Sequence, residues 1–99
     1  MPAYVIVLME EISDPSALDE YRRLALPALA EREVAFRIRR GEFEVREGDD
    51  IQSVVMLEFP TMEAAKDWYD SPEYQEALKA RRKGVKCHVI MAQGAEPAA

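Results

Sequence analysis

Arg39 and Glu58 are the residues of this sequence whose types and spacing best suit acid–base chemistry. Glu58 lies in an apolar run, and Arg39 lies in a segment that alternates apolar and charged residues. If these segments pair as a hairpin about a turn at residues 46–51, the two side chains lie opposite each other and face the interior. A carboxylate there needs a partner, which a guanidinium group supplies. The pair is either a structural ion pair or a site where Arg39 binds a carboxylate or enolate and Glu58 moves a proton.

Two further polar side chains are candidates for the same chemistry. Glu10 is expected beside Glu58 on the neighbouring strand, where two close carboxylates raise the pKa of one of them and give a base near neutral pH. The alternative is that Glu10 ends its strand in solvent. His88, the single histidine, is either a general base facing the interior or a solvent-facing strand residue.

Three aromatic residues are candidates for binding a ligand. Trp68 and Tyr74 lie where one helix is predicted to give way to the next, and Tyr21 lies on the first helix. Aromatic residues at helical spacing usually pack in the core, but a tyrosine hydroxyl can also reach a ligand at the mouth of a pocket. Both interpretations stay open for all three residues.

Short elements are expected to position these residues. Apolar or alternating runs predict strands at residues 4–9, 34–40, 51–59 and 85–91. Capping residues and helical spacing predict helices that start at Pro15, after Thr61 and at Pro72. The first helix is expected to reach about residue 32, with a kink or break near residues 24–27. Gly41 is a candidate position for a bulge.

The order strand, helix, strand, strand, helix, strand is typical of the ferredoxin-like α+β fold. This fold has a four-stranded antiparallel or mixed sheet of order 4-1-3-2, and we expect strands one and three to be parallel at its centre. We assign residues 1–94 to this single domain and residues 95–99 to a flexible C-terminal tail.

The two central strands are apolar on both faces. Both crossovers of this fold place their helices on the same side of the sheet, so the other side lacks cover. An uncovered apolar face usually marks an interface or a ligand site. We therefore expect a homodimer that packs sheet against sheet; the alternative is a monomer with some exposed apolar surface.

The composition argues against several classes of binding partner and cofactor. Thirteen Lys and Arg against nineteen Asp and Glu give a net charge of −6, which argues against nucleic acid and against an anionic membrane surface. The longest apolar run, residues 3–9, is too short to cross a membrane. One histidine and one cysteine argue against a multi-histidine metal site and exclude an internal disulfide. We expect a cytoplasmic protein that uses no metal, haem or other cofactor.

Three stretches, DPSALDEY, VVMLEFPTMEAAKDWYDSPEYQ and ALKARR, resemble the family labelled domain of unknown function 1330. The resemblance covers about residues 3–94 and implies a dimeric α/β barrel, in which the sheets of two ferredoxin-like subunits close into a barrel. The superfamily includes cofactor-free monooxygenases, small isomerases and decarboxylases, haem enzymes and ligand-sensing domains. An arginine near Arg39 is usual in the family. The His-Gly-Gly-like turn that usually ends the first helix is replaced here by Glu-Arg-Glu-Val at residues 31–34.

These observations leave three hypotheses about function. The first is a cofactor-free enzyme for proton transfer, isomerisation or oxygenation of a small enolisable acid or ketone. In this hypothesis Arg39 holds the anion and Glu58 or His88 is the base. Trp68 and Tyr74 line the pocket. The second is a small-molecule binding or sensing module without turnover, and the third is a structural dimer with a filled barrel, since one fold supports many functions.

Overall fold

The computed structural model describes residues 1–95 and contains the predicted order of strands and helices. The elements are β1 Ala3–Ile12, α1 Pro15–Ala30, β2 Ala35–Arg39, β3 Ser53–Phe59, α2 Met62–Asp70, α3 Pro72–Arg82 and β4 Val85–Gln93. Of the predicted tail at residues 95–99, only Ala95 lies within the described residues.

The four strands form one sheet in the order β2-β3-β1-β4, which is the predicted order read from the opposite edge. All three neighbouring pairs are antiparallel, so the expectation that strands one and three are parallel is wrong. The crossover through α1 returns β2 in the direction of β1, and the connection at residues 40–52 then reverses the chain. β3 therefore enters between β2 and β1 in the opposite direction.

The two faces of the sheet differ in their cover. One face, which we call the helix face, packs under the helices and contains Ala3, Val5, Val7, Met9, Leu57 and Phe59. The other face, which we call the open face, contains the half-buried side chains Tyr4, Ile6, Leu8, Val54, Met56 and Glu58. Side chains from all three helices join the core on the helix face. The predicted uncovered apolar face is therefore present in the protomer.

Each helix begins where the sequence predicts because a side-chain oxygen caps its first turn. Asp14, Thr61 and Ser71 each accept a hydrogen bond from a backbone N–H of α1, α2 and α3, respectively. α1 does not break at Pro27 and ends at Ala30. Pro27 lies in the last turn, so only three residues of the helix follow it.

Aromatic side chains of β3, α2 and α3 form the centre of the core. Trp68 and Tyr74 are 1% and 0% exposed, and their ring centroids lie 4.2 Å apart. Phe59 at the end of β3 packs 5.3 Å from the Trp68 ring. The core interpretation of Trp68 and Tyr74 is thus confirmed. None of the helices in residues 1–95 is long and apolar enough to cross a membrane.

Candidate functional site

A bulge in β2 determines which arginine meets Glu58. Ala35 lies opposite Glu58, and the ladder shifts by one residue within residues 36–38, which makes Arg37 an extra residue in the strand. Arg37 Nε donates to Glu58 Oε1 at 3.0 Å on the open face. Arg39, beyond the bulge, lies on the helix face. The predicted Arg39–Glu58 pair is wrong because it assumed a tight turn and a regular ladder.

Glu58 is an ionised, solvent-accessible carboxylate in this arrangement. Its side chain is 26% exposed. The hydrogen bond from Arg37 holds the pKa of Glu58 below its usual range, against a smaller opposing effect of burial. A carboxylate with a lowered pKa is a weaker base than an ordinary glutamate. The role of Glu58 in proton transfer stays a prediction.

Glu10 and His88 form a separate cluster at the other end of the open face. Glu10 Oε1 lies 3.2 Å from His88 Nδ1, and Glu10 Oε2 lies 3.5 Å from Lys86 Nζ. Tyr4 is the residue of β1 that pairs with Glu58, and Glu10 lies six positions further along this strand. That spacing corresponds to roughly 20 Å of extended chain. The expectation that Glu10 lies beside Glu58 is therefore wrong, because β1 and β3 are antiparallel.

An apolar cavity of about 90 Å³ lies between α1 and the helix face, and we call it the α1 cavity. Its apolar wall includes Val7, Met9, Ala25, Leu29, Phe36 and Leu57. Tyr21 of α1 and Trp68 of α2 also line the cavity. The cavity is smaller than the roughly 300 Å³ at which pockets for drug-sized ligands begin. It therefore suits a small molecule, with further atoms reaching the mouth.

Three arginines line the same cavity, and we call them the arginine trio: Arg22 of α1, Arg39 of β2, and Arg40 directly after it. Within residues 1–95 none of the three forms a salt bridge. The Arg39 guanidinium lies 4.2 Å from the centroid of the Phe36 ring. Partial burial, followed by the nearby charges of Arg22 and Arg39, lowers the pKa of Arg40. The trio is thus a positive cluster that attracts an anion.

The backbone at Arg40 is held in an unusual conformation. Its φ is 55°, in the left-handed region that residues with a Cβ rarely adopt. Its N–H donates to the carbonyl oxygen of Val54 at 3.0 Å, which ties this position to β3. Such conformations often occur where a side chain must be presented to a ligand. Here the conformation accompanies the placement of two adjacent arginines at one cavity.

A buried polar chain lies beside the α1 cavity. The hydroxyl oxygens of Tyr21 and Tyr74 are 2.9 Å apart, and Arg81 donates through Nη1 to the Tyr74 hydroxyl at 3.2 Å. Arg81 is only 5% exposed. Burial raises the pKa of Tyr74 well above its ordinary value, so its hydroxyl keeps its proton throughout the physiological pH range.

The sheet separates the predicted site residues into two groups. Glu10, Glu58 and His88 lie on the open face. Arg39, Tyr21, Trp68 and Tyr74 lie on the helix side, where Arg39, Tyr21 and Trp68 line the α1 cavity and Tyr74 contacts Tyr21. The structure therefore brings the aromatic candidates and Arg39 together, and it does not bring the candidate bases to them.

Sequence reasoning missed three residues of this region: Arg22, Arg40 and Arg81. Arg81 follows Tyr74 by seven residues, or about two helical turns, so helical periodicity could have placed both on the buried side of α3. Arg22 follows Tyr21, and its contribution depends on how α1 packs over the sheet. The position of the Arg40 side chain at the cavity depends on a backbone conformation for which the sequence has no local signal.

The described residues contain no group of three or more His, Cys, Asp or Glu side chains placed to hold a metal ion. The residues with hydrogen-bond donors that line the α1 cavity are instead the arginine trio, Tyr21 and Trp68. These groups bind anions and carbonyl oxygens, which are hydrogen-bond acceptors.

The four-stranded sheet, its strand order and the helices on one face define a ferredoxin-like α+β protein. The chain belongs to the family Domain of unknown function (DUF1330), which matches residues 2–95. No curated protein matches the chain.

Solved structures show the same fold at low sequence identity. A protein of unknown function from Rhodopseudomonas palustris is 21% identical, with 97% of this chain and 84% of that chain covered and a TM-score of 0.75. A dimeric ferredoxin-like protein of unknown function from Jannaschia sp. CCS1 is 15% identical, with 95% and 100% covered and a TM-score of 0.71. SnoaB, a cofactor-independent oxygenase from Streptomyces nogalater, is 12% identical, with 96% and 94% covered and a TM-score of 0.66.

Proposed function

We propose that this protein binds a small, partly apolar acid or enolisable ketone in the α1 cavity and acts on it without a cofactor. The reaction class is proton transfer, isomerisation or oxygenation next to a carbonyl group. The observation that carries the proposal is the arginine trio. These three side chains line an apolar cavity, and none of them forms a salt bridge within residues 1–95.

The dimensions and lining of the cavity define the ligand. An apolar wall binds hydrocarbon atoms, and a volume of about 90 Å³ limits their number. Arginine binds carboxylate through paired hydrogen bonds, and two of the trio, Arg39 and Arg40, are exposed to solvent. A carboxylate at the solvent side and a short apolar or carbonyl-bearing part inside the cavity satisfy both features.

The arginine trio also supplies positive charge that stabilises an enolate. Removal of a proton next to a carbonyl leaves negative charge on oxygen, and fixed positive charges stabilise that charge in the transition state. The similarity in fold to a cofactor-independent oxygenase is consistent with chemistry that relies on such stabilisation. Glu58 and His88, the bases predicted from the sequence, lie on the open face across the sheet from the α1 cavity, so chemistry in this cavity requires a base other than these two side chains.

We further propose that the protein is a homodimer packed sheet against sheet through the open face. Ile6, Leu8 and Met56 present apolar side chains there, and no helix of residues 1–95 covers them. Ile90 on β4 is 48% exposed on the same face. Two solved ferredoxin-like proteins of similar fold are dimeric, one from Bacteroides fragilis and one from Jannaschia sp. CCS1. A cytoplasmic location also stays a prediction.

One observation favours a second candidate function, ligand binding without turnover. Among the described residues that line the α1 cavity there is no carboxylate and no imidazole. The described lining of the cavity therefore offers no Asp, Glu or His side chain to act as a base on a bound ligand. A binding or sensing module needs only the apolar wall and the arginine trio.

Levulinate and 2-pentanone provide a test, because the ketone has the carbon chain of the keto acid and lacks its carboxylate. We expect levulinate to bind more tightly than 2-pentanone. Arg39→Ala should weaken levulinate binding by about tenfold, which corresponds to about 1.4 kcal/mol. Arg37→Ala is the matched control, since this arginine lies on the open face, and it should leave binding unchanged. Calorimetry measures each affinity.

Deuterium exchange separates the two candidate functions. In heavy water, an enzyme that forms the enolate speeds exchange of the protons next to the levulinate ketone above the rate in buffer, which proton NMR follows. Binding with no faster exchange supports the binding module. No binding of either compound, or equal losses in Arg39→Ala and Arg37→Ala, contradicts the proposed role of the α1 cavity.

A further inference from the structure

Arg81, Tyr74 and Tyr21 form a hydrogen-bonded chain that leads from the core to the α1 cavity. Arg81 and Tyr74 are 5% and 0% exposed, whereas Tyr21 is partly exposed and lines the cavity. The two links are 3.2 Å from Arg81 Nη1 to the Tyr74 hydroxyl and 2.9 Å between the two hydroxyls. The chain therefore ends on Tyr21, which is one of the residues that line the α1 cavity.

The number of donors and acceptors in this chain determines the direction of each hydrogen bond. A guanidinium group can only donate, so the Tyr74 oxygen accepts from Arg81. The Tyr74 hydroxyl is buried, and its proton has one acceptor within residues 1–95, the Tyr21 oxygen. If Tyr21 donated instead, the Tyr74 proton would be buried without a partner, which destabilises the fold. Tyr74 therefore donates to the Tyr21 oxygen, and the Tyr21 hydroxyl proton is free to be donated to another acceptor.

We propose that this chain fixes Tyr21 as a hydrogen-bond donor toward the α1 cavity, so that the bound molecule places a carbonyl or enolate oxygen against the Tyr21 hydroxyl. Tyr74 and Arg81 are positioning residues that act through Tyr21. The inference rests on the proposed function in one respect, namely that the α1 cavity holds a ligand. It adds the chemical group that the inner part of the ligand carries.

One further observation supports Tyr21 as a donor. Arg81 forms no salt bridge in the described part of the chain, so its charge polarises the hydroxyl chain and strengthens Tyr21 as a donor.

Cyclohexanone and methylenecyclohexane test the inference, because these neutral rings differ only in a carbonyl oxygen in place of a CH₂ group. Neither compound carries a negative charge that the arginine trio could bind. We expect the protein to prefer cyclohexanone, and Tyr21→Phe to weaken cyclohexanone binding about fivefold, the factor that corresponds to about 1 kcal/mol for one neutral hydrogen bond. Methylenecyclohexane binding should not change.

Infrared spectroscopy of isotope-labelled cyclohexanone gives a readout that a purely structural role does not move. A donated hydrogen bond lowers the carbonyl stretching frequency of the bound ketone. We expect this shift to disappear in Tyr21→Phe and to shrink in Tyr74→Phe, where Tyr21 loses its fixed direction. Tyr69→Phe is the matched control, since it removes a hydroxyl from the same aromatic cluster but not from the chain. It should keep both the preference and the shift.

The outcomes distinguish this inference from the proposed function. If both rings bind equally well, or if Tyr21→Phe retains the carbonyl shift, the donor role of Tyr21 is rejected while the cavity remains a ligand site. If neither ring binds and levulinate does not bind, the proposed function fails as well. If Tyr74→Phe does not fold, Tyr21→Phe and Tyr69→Phe still decide the result.

Discussion

Arg37 and Arg39 are two positions apart in β2, yet their guanidinium groups lie on opposite faces of the sheet. In a regular strand, residues two apart point to the same side. The bulge breaks this rule and gives each arginine a different environment. Arg37 meets a carboxylate, and Arg39 meets an apolar cavity and two like charges.

The titration of Glu58 tests this assignment. The Arg37 hydrogen bond lowers the Glu58 pKa, so the pair stabilises the fold above the ordinary glutamate pKa, and this contribution is lost as the pH falls through the lowered value. In Arg37→Ala the pKa of Glu58 should rise toward its ordinary value, whereas in Arg39→Ala it should stay low. Carboxyl-detected NMR measures both. A rise in Arg39→Ala alone would restore the pair expected from the sequence.

Residue-level prediction failed at β2 for a physical reason. The alternation of residues 34–40 correctly indicates a strand, but a bulge adds one residue without disturbing that alternation in the sequence. Gly41 was the expected bulge position, and the bulge lies at Arg37, a residue type with no particular preference for it. The pairing partner of Glu58 depends on the register across the sheet, which no local pattern contains.

At the scale of elements, the turn between α3 and β4 holds the start of α1. The Gly84 carbonyl oxygen accepts hydrogen bonds from the N–H groups of Ser13 and Asp14, at 2.8 and 3.1 Å. A Cβ on Gly84 would lie 2.4 Å from the Asp14 Cβ. Only a glycine allows the two segments to approach this closely.

Replacement of Gly84 should therefore destabilise the protein. Gly84→Ala should lower the free energy of unfolding by about 1–3 kcal/mol, because the added methyl forces the start of α1 away. Gly41→Ala is the control: nothing lies within 4 Å of its added Cβ, so the change should stay within about 0.5 kcal/mol. Urea denaturation measures both. Equal stability of the two variants would contradict the close packing at Gly84.

Element-level prediction succeeded where the signals are local. Asp14 with Pro15, Thr61, and Ser71 with Pro72 each mark a helix start that the structure confirms, because a cap is made within one turn of chain. The direction of β1 relative to β3 was wrong, although the strand order was right. It follows from how a crossover and a reversal combine, and not from the composition of either strand.

At the scale of the whole molecule, the open face and the connection at residues 40–52 both present apolar side chains. Phe43 and Val45 are 38% and 36% exposed on this connection. Apolar patches of this kind usually mark an interface. The two-sided apolar pattern of β1 and β3 predicted the open face. It could not predict the α1 cavity, whose size depends on how far α1 stands from the sheet.

A charge in the centre of the open face tests the proposed dimer. Ile6 lies between Met56 and Ile90 in the sheet and outside the buried core. Ile6→Lys should convert a dimer to a monomer, since burying an unpaired ammonium between two sheets is costly. Ala30→Lys, on an exposed position at the end of α1, should leave the dimer intact. Native mass spectrometry reports the masses.

Circular dichroism on the same samples checks that Ile6→Lys keeps its secondary structure. A wild-type protein that is monomeric at micromolar concentration would contradict the sheet-to-sheet homodimer. It would leave the α1 cavity untouched, because that cavity lies within one protomer.

The bulge in β2 also has a consequence for how such a gene can change. Arg37 is the extra residue, so loss of its single codon leaves a regular ladder in which Arg39 keeps its place opposite Val55. That deletion removes the partner of Glu58 on the open face and keeps Phe36 and Arg39, which line the α1 cavity, opposite Leu57 and Val55. The open face and the α1 cavity can thus diverge separately in descendants of this protein, the first through an in-frame insertion or deletion and the second through point substitution.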